Sequence, residues 1–318
     1  MQLTDSELNT YVRLVLKLKP GKRAEYLEQV DRLIELMTKR INEESVFTVK
    51  RFRKAGSLRK GTVLRPAEGK AVDADVAVEL NVSEAERDDL DRLHAILRDL
   101  LIVVYPQKKP EDFEVQPYTL GLVFHTSGLA VDLVPVVPIP EEPGYGWQPS
   151  SKGEDPIKTS ISGQLTFIED TGKADARYRA LVRLAKRWRN HEGLKALRSF
   201  TIELILAGIQ QECGPAPGLE EGIQRFFLYV HRSGLQEAIG FEDGATDDYA
   251  GNEPVVILDP VNRDNNVARR ITEAERVEIV EAARQAWETL CYASTHQNRG
   301  DTLELWKEVF GRSFKVEE

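Results

Sequence analysis

The stretch Gly56–Leu80, GSLRKGTVLRPAEGKAVDADVAVEL, decides how the rest of the chain is interpreted. Its last part alternates as V-x-A-x-V-A-V, which is typical of a β-strand, yet Asp73 and Asp75 interrupt the apolar pattern. Residues i and i+2 of a strand share one face, and their Cα atoms lie about 6.6 Å apart. The two carboxylates therefore converge on one point, where repulsion raises a pKa unless a cation lies between them.

A third acid stands in a second strand pattern. Asp132 interrupts the apolar run LAVDLVPV, and if its strand is a neighbour of the first, three carboxylates share one patch. Such hard oxygen ligands suit Mg²⁺, which proteins bind through a few carboxylates together with substrate phosphates. The alternative is an edge strand whose charges prevent aggregation.

The dipeptide Gly56-Ser57 supplies a complementary feature upstream of the acids. Glycine allows a phosphate to approach the backbone closely, and serine adds a hydroxyl donor beside main-chain N–H groups. By itself Gly-Ser is most often an ordinary turn, and we predict a turn here. Together with the acids it indicates a phosphate-binding turn.

Composition and charge narrow the class of protein. The 318 residues are 41% hydrophobic and 30% charged, with a net charge of −9, which argues against a chain-wide nucleic-acid-binding surface. No window resembles a membrane span, and the first residues lack the pattern of a secretory signal. The two cysteines, Cys213 and Cys291, fit a reducing compartment better than a disulfide framework. We therefore expect a soluble cytoplasmic protein with no membrane partner.

The order of elements predicts an α+β fold. Helices at about 4–19 and 22–41 precede strands SVFTVKRF and AVDADVAVEL, a helix at 83–105, and the hairpin YTLGLVFH and LAVDLVPVVPI. A Pro- and Gly-rich span, PIPEEPGYGWQPSSKGEDP, is predicted to be loop. The following half is largely helical. We expect a first domain over 1–165, with N-terminal helices and the acidic sheet, and a helical domain over 166–318.

These motifs, in this order, resemble a known superfamily. Gly56-Ser57, Thr62, Asp73-x-Asp75 and the later Asp132 are similar to the signature of polymerase-β-like nucleotidyltransferases. The details GSLRKGT and VDLVPV resemble the bacterial cGAS/DncV-like nucleotidyltransferases (CD-NTases), relatives of oligoadenylate synthetase. The resemblance implies a two-lobed enzyme with a mixed β-sheet core lobe, a helical C-terminal lobe and the active site in the cleft between them.

The second half carries further matching residues. ALVRLAKRWRNHEG followed by SFTIELILAG resembles the paired helices with which this family grips the donor triphosphate. The resemblance implies phosphate binding by Lys186 and Ser199 and base stacking by Phe200. From the residues alone, Arg183, Lys186 and Arg187 form a cationic helix face, for which an ordinary exposed basic helix is the alternative.

What the resemblance implies for function is specific. Asp73, Asp75 and Asp132 would be the catalytic carboxylates and would bind two Mg²⁺ ions, with Mn²⁺ as a substitute. Gly56, Ser57, Lys186, Ser199 and Phe200 would bind the nucleotide. The enzyme would condense NTPs, ATP or GTP or both, into a cyclic di- or trinucleotide second messenger with release of pyrophosphate, in anti-phage (CBASS-type) defence.

The partners expected from this resemblance are few. The product would act on a downstream nucleotide-gated effector, and the enzyme would be a monomer. No zinc insertion and no broad basic surface occur in the sequence, so we do not expect direct activation by double-stranded nucleic acid.

Three alternatives remain open from sequence. A synthetase of linear 2′–5′ oligonucleotides would share every motif. A transferase that modifies tRNA or protein would need a macromolecular acceptor, although the acidic net charge disfavours RNA. A catalytically inactive nucleotide-binding module is disfavoured by the presence of all three acids, Asp73, Asp75 and Asp132.

Overall fold

The computed structural model describes residues 1–45, 47–82, 91–242, 244 and 246–316. These residues divide into two compact units, one formed by Leu18–Leu165 and the other by Met1–Lys17 together with Thr166–Glu318. None of the described helices is both long enough and apolar enough to cross a membrane.

The unit Leu18–Leu165 is built on a mixed sheet. Its strands are β1 (Thr48–Lys54), β2 (Val72–Asn81), β3 (Phe113–Val115), β4 (Leu120–Phe124), β5 (Leu129–Pro138), β6 (Gly146–Gln148) and β7 (Ile157–Thr159). They follow the order β1-β2-β5-β4-β3, and β6 joins β5 to β7. Strands β2 and β5 are parallel and the remaining pairs are antiparallel.

Helices cover one face of this sheet. They are α2 (Lys22–Glu44) and α4 (Asp91–Val104), while the short α3 (Gly56–Lys60) lies between β1 and β2. The stripe of α2 packs into the core at positions three and four apart, through residues such as Tyr26, Val30 and Leu33. Alternate β2 residues, including Val76 and Val78, enter the same core. Because side chains alternate along a strand, Asp73 and Asp75 face the opposite side of the sheet.

The unit that contains residues 166–318 is mainly helical. Its helices are α1 (Asp5–Tyr11), continued by a π-helical turn (Val12–Leu16), α5 (Ile161–Ala174), α6 (Tyr178–Glu192), α7 (Ser199–Cys213), α8 (Leu219–Ser233), α9 (Glu273–Thr295) and α10 (Arg299–Phe310). The boundary between the units falls within α5. A two-stranded ribbon, β8 (Leu258–Asp259) and β9 (Asn262–Asn266), completes the unit.

The α+β class with a mixed sheet and a helical second half is confirmed, but two details differ from the sequence expectations, and a third expectation is described only in part. Gly56-Ser57 begins helix α3 instead of a simple turn. The Pro- and Gly-rich span contains strand β6, which pairs with β5 through Trp147 and Val137. The structure describes the helix expected at 83–105 only from Asp91 onward, and residues 83–90 lie outside the described part.

The first seventeen residues also lie elsewhere than expected. The sequence predicts one domain over residues 1–165, but Met1–Lys17 groups with Thr166–Glu318. Asp5 explains this placement, because its carboxylate accepts hydrogen bonds from Leu219 N (2.6 Å) and Arg177 Nε (2.8 Å). Tyr11 is fully buried beside Phe314, with ring centroids 4.6 Å apart. These long-range contacts leave no local pattern in the sequence.

Candidate active site

The parallel pair of β2 and β5 brings the acids together. Asp75 and Asp132 are direct partners in the register, and Asp73 lies opposite Ala130 two residues earlier. Residues in register on neighbouring strands present their side chains to the same face, so the three carboxylates share one patch. The strand that carries Asp73 and Asp75 is therefore a neighbour of the strand that carries Asp132, as the sequence analysis considered.

Glycine at position 56 is required by the position of Asp75. The backbone of Gly56 has φ +61°, and a Cβ added there would lie 1.6 Å from Asp75 Oδ2. The preceding amide, Ala55 N, donates to Asp75 O at 2.8 Å. Helix α3 therefore begins in direct contact with the acidic strand.

Ser57 is fixed by the end of the same short helix. Its carbonyl oxygen accepts hydrogen bonds from Thr62 N (2.9 Å) and Val63 N (3.1 Å), while Leu58 is buried in the core beneath. The Gly56-Ser57 dipeptide thus lies at the junction between β1 and β2, in contact with Asp75.

Burial and the crowding of like charges raise the pKa values of carboxylates in the acid patch. Burial, followed by the charges of Asp75, Asp73 and Glu114, raises the pKa of Asp132 from 3.8 to about 7. Burial likewise raises the pKa of Asp73, although that residue lies at the exposed end of the patch. A bound cation would reverse both effects by stabilising the ionised carboxylates.

The carboxylates of this patch are the type of ligand that a hard divalent cation such as Mg²⁺ takes. Among the residues that the structure describes, no three His, Cys, Asp or Glu side chains form a group that could hold a metal ion unaided. Mg²⁺ is usually held by one or two carboxylates plus substrate phosphates, so an incomplete set of protein ligands is the chemistry expected. The close approach of Gly56 to Asp75 leaves backbone, with no side chain, beside these ligands.

The other predicted nucleotide-binding residues belong to the helical unit. Lys186 lies on α6, is 2% exposed, and its Nζ is 2.9 Å from Glu203 Oε1 on α7. Ser199 and Phe200 open α7, one turn before Glu203, and both are partly buried. Lys186 is therefore held against α7 by a buried ion pair that the sequence analysis did not anticipate, and its partner Glu203 lies one helical turn after Ser199.

Arg183, Lys186 and Arg187 do not form the exposed basic helix that was the alternative interpretation of the cationic face of α6. Arg183 is buried, and burial together with Arg179 lowers its pKa to about 10. Arg187 Nε donates to Phe310 O at 2.7 Å, and Lys186 pairs with Glu203. These side chains are built into the unit because the stripe Arg183–Arg187 coincides with the packed side of an amphipathic helix.

Two residues of the patch, Gly121 and Glu114, escaped the sequence analysis. Gly121 is the register partner of Asp132 on β4, and Glu114 on β3 is the partner of Gly121. An isolated glycine in the strand pattern YTLGLVFH is the kind of signal that marks a close approach. Glu114 gave no such signal, since β3 comprises only three residues.

Comparison with known proteins identifies relatives of this chain along its whole length. The chain is 41% identical over 318 residues to the CBASS oligonucleotide cyclase CdnC of Escherichia coli strain KTE188, covering all of this chain and 99% of the relative. It is 34% identical over 307 residues to the cyclic AMP-AMP-AMP synthase of E. coli strain MS 115-1, covering 94% of each protein.

Solved structures agree in fold. The structure of E. coli MS115-1 CdnC with ATP matches with a TM-score of 0.83 and 32% identity, covering 98% of this chain and 99% of that one. The same CdnC in complex with a HORMA-deltaN protein also matches with a TM-score of 0.83. No protein-family model matches the chain.

Proposed function

Since this chain belongs to the CdnC family of CBASS oligonucleotide cyclases, we propose that it condenses ATP into cyclic triadenylate with release of pyrophosphate. It is a nucleotidyltransferase that makes a cyclic oligonucleotide, the activity that its relatives' names state. The identity of the base and the ring of three are the proposal, and the cyclic AMP-AMP-AMP synthase relative supports both.

One observation carries the proposal for the site. Asp75 and Asp132 are partners in a parallel register, with Asp73 on the same face and Gly56 against Asp75. Asp73, Asp75 and Asp132 would hold two divalent cations. When bound, these cations lower the pKa of the attacking hydroxyl and neutralise charge on the leaving pyrophosphate.

The protein's own groups have distinct roles in each condensation. Gly56 and Ser57 orient the donor triphosphate. Lys186 and Ser199 for phosphate, and Phe200 for a base, stay the further nucleotide-binding residues that the family resemblance predicts. Asp132 takes the proton from the acceptor hydroxyl. The hydroxyl oxygen then bonds to the α-phosphorus of the donor, and the bond from that phosphorus to the pyrophosphate oxygen breaks. The last condensation joins the two ends of one linear trinucleotide.

Purified protein tests this proposal directly. With ATP and Mg²⁺ or Mn²⁺ we expect a product with the mass of cyclic triadenylate that resists phosphatase, because a ring has no terminal phosphate. A phosphatase-sensitive product would identify a linear oligonucleotide synthetase instead. ATP binding without turnover would identify an inactive nucleotide-binding module.

Substitution of the acids tests the site. Asp73→Asn combined with Asp75→Asn should abolish the product without loss of folding. Asp99→Asn on α4, an exposed carboxylate outside the patch, is the matched control and should leave product formation unchanged. Full activity of the double variant would refute the assignment.

The proposed binding partner of this chain is inferred from a relative. A CdnC relative was solved with a HORMA protein, which supports control of this chain by a HORMA-type partner instead of by double-stranded nucleic acid. We propose that the chain is a monomer until that partner binds and that its product acts on a nucleotide-gated effector. Size-exclusion chromatography with and without a HORMA-type protein tests the first part of this proposal.

A further inference from the structure

Arg23, the second residue of helix α2, contacts the short helix α3 that carries Gly56 and Ser57. Its guanidinium donates two hydrogen bonds to Leu58 O, from Nε at 3.3 Å and from Nη2 at 3.2 Å. Leu58 is the middle residue of the five that form α3. A charged side chain of one helix therefore holds the backbone of another, directly after the Gly56-Ser57 dipeptide.

The hydrogen bonds at the end of α3 explain why Leu58 O takes its donor from another helix. In a continuing α-helix the amide of Thr62, four residues later, would donate to Leu58 O. Thr62 N donates instead to Ser57 O, as do the amides of the two residues beside it. The last carbonyl groups of a helix need partners from outside its own ladder of hydrogen bonds, and Arg23 is that partner for Leu58 O.

The position of α3 matters because its first residue lies against an acid of the patch. A Cβ at Gly56 would overlap Asp75 Oδ2, so the start of α3 is in direct contact with that carboxylate. A helix of five residues is marginal by itself and depends on contacts with neighbouring elements. The buried side chain of Leu58 anchors α3 in the core, and Arg23 anchors its backbone.

We propose that Arg23 is a positioning residue for the donor triphosphate. By its hydrogen bonds to Leu58 O it keeps Gly56 and Ser57 in place beside Asp75. This inference rests on the proposed function, in which Gly56 and Ser57 orient the donor triphosphate, and it adds the side chain that orients them. In that function the acceptor hydroxyl meets an acid on β5, away from α3, so loss of Arg23 should affect the donor nucleotide and not the acceptor.

Separate measurement of donor and acceptor tests the inference. In the assay, 2′,3′-dideoxy-ATP is the donor, because it carries a triphosphate but neither of the hydroxyls that could attack, and ATP is the acceptor. The initial rate of formation of the mixed linear dinucleotide, identified by mass, gives one KM for each nucleotide. For Arg23→Gln we expect the donor KM to rise about tenfold, the effect of losing hydrogen bonds from a charged group, while the acceptor KM stays within about twofold.

Two further variants separate positioning from general stability. Arg23→Lys keeps the positive charge and a donor for Leu58 O, and should recover part of the donor KM. Arg40→Gln makes the same chemical change elsewhere on the surface of α2, where Arg40 pairs with Glu44, and should leave both KM values unchanged. Since Arg23 is exposed, its replacement leaves no cavity, and thermal unfolding should give similar midpoints for the two glutamine variants.

Each remaining outcome has one interpretation. If Arg23→Gln leaves the donor KM unchanged, or raises both KM values equally, the positioning role of Arg23 is refuted while the proposed function stands. A donor KM of Arg23→Lys no lower than that of Arg23→Gln would also refute it, because lysine can still donate to the same carbonyl. If the unmodified protein forms no mixed dinucleotide, the proposed function fails and the inference fails with it.

Discussion

The closest steric constraint in the acid patch links Gly56 and Asp75. A Cβ at position 56 would overlap Asp75 Oδ2 at 1.6 Å, and the backbone there also has a positive φ of +61°. Two separate requirements for glycine thus coincide, one conformational and one steric.

The first prediction separates these two requirements. Gly56→Ala should lower the rate of product formation by at least about 100-fold, because the new methyl group displaces the carboxylate of Asp75, which we propose to be a metal ligand. Gly69→Ala is the matched control, since Gly69 also has a positive φ, +73°, but nothing lies within 4 Å of the point that a Cβ would occupy there. Gly69→Ala should lose about 1 kcal/mol of stability and Gly56→Ala at least as much, and only Gly56→Ala should lose activity. Equal loss of activity in both would refute the steric argument.

The second prediction concerns pH and Asp132 in metal-free protein. Its pKa is about 7 in the folded protein against 3.8 ordinarily, so the folded state binds the extra proton between these values. The free energy of unfolding should therefore fall as pH rises from about 4 to 7. Asp132→Asn should remove this dependence and be about 1–2 kcal/mol more stable at pH 8, less than the full pKa difference implies because of solvent screening.

Chemical denaturation in the presence of a chelator checks this dependence. The two proteins should have the same stability near pH 4, where Asp132 is protonated in wild type. A difference that persists at pH 4 would show that the asparagine acts through packing and not through charge.

At the scale of elements, helices α6 and α7 are joined by the buried pair of Lys186 and Glu203. Their side chains are 3% and 1% exposed. Glu203 also supplies the carbonyl oxygen that accepts a hydrogen bond from Tyr178 at 2.8 Å. A buried ion pair leaves a costly uncompensated charge when only one partner is removed.

The third prediction uses this pair to separate stability from catalysis. Lys186→Met alone should destabilise the protein by about 3–5 kcal/mol, because Glu203 then loses its buried partner. Lys186→Met with Glu203→Gln should recover most of the loss in thermal unfolding. If Lys186 also binds the donor triphosphate, the double variant should recover stability but not activity. Recovery of both stability and activity in the double variant would show that Lys186 has only a structural role.

Sequence patterns predicted those elements whose evidence is local. The acids are recognisable because Asp73 and Asp75 interrupt an alternating strand. The first helix was predicted from about residue 4, and in the structure Thr4 and Glu7 form a capping box at its start. Glu203 could not be predicted as the partner of Lys186, since an ion pair between two helices depends on how they pack. The strand β6 could not be predicted because its short Gly-Trp-Gln segment is extended through pairing with β5 and β7, which depends on the fold.

At the scale of the whole molecule, the chain crosses between its two units more than once. Met1–Lys17 belongs with Thr166–Glu318, so the sheet unit is an insertion between two parts of the helical unit. The ring of Tyr11 packs against Phe314 and Phe310, near the other end of the chain.

The fourth prediction follows from this arrangement. Deletion of residues 1–17 removes the fully buried Tyr11 and the Asp5 contacts with Leu219 and Arg177. Hydrogen exchange should accelerate in α6, α8 and α10, while β2 and β5 keep their protection. Faster exchange in the sheet strands instead would contradict the grouping of residues 1–17 with the helical unit.

The in-register pairing of Asp75 with Asp132 has a consequence for insertions and deletions. One residue added between Leu129 and Asp132 would rotate the carboxylate to the helix-covered face of the sheet, where a charge is buried. One residue added in the β4–β5 turn, at Thr126 or Ser127, leaves the alternation of both strands intact. Length variation in this protein is therefore expected in its turns. The number of residues in the first halves of β2 and β5 should stay constant.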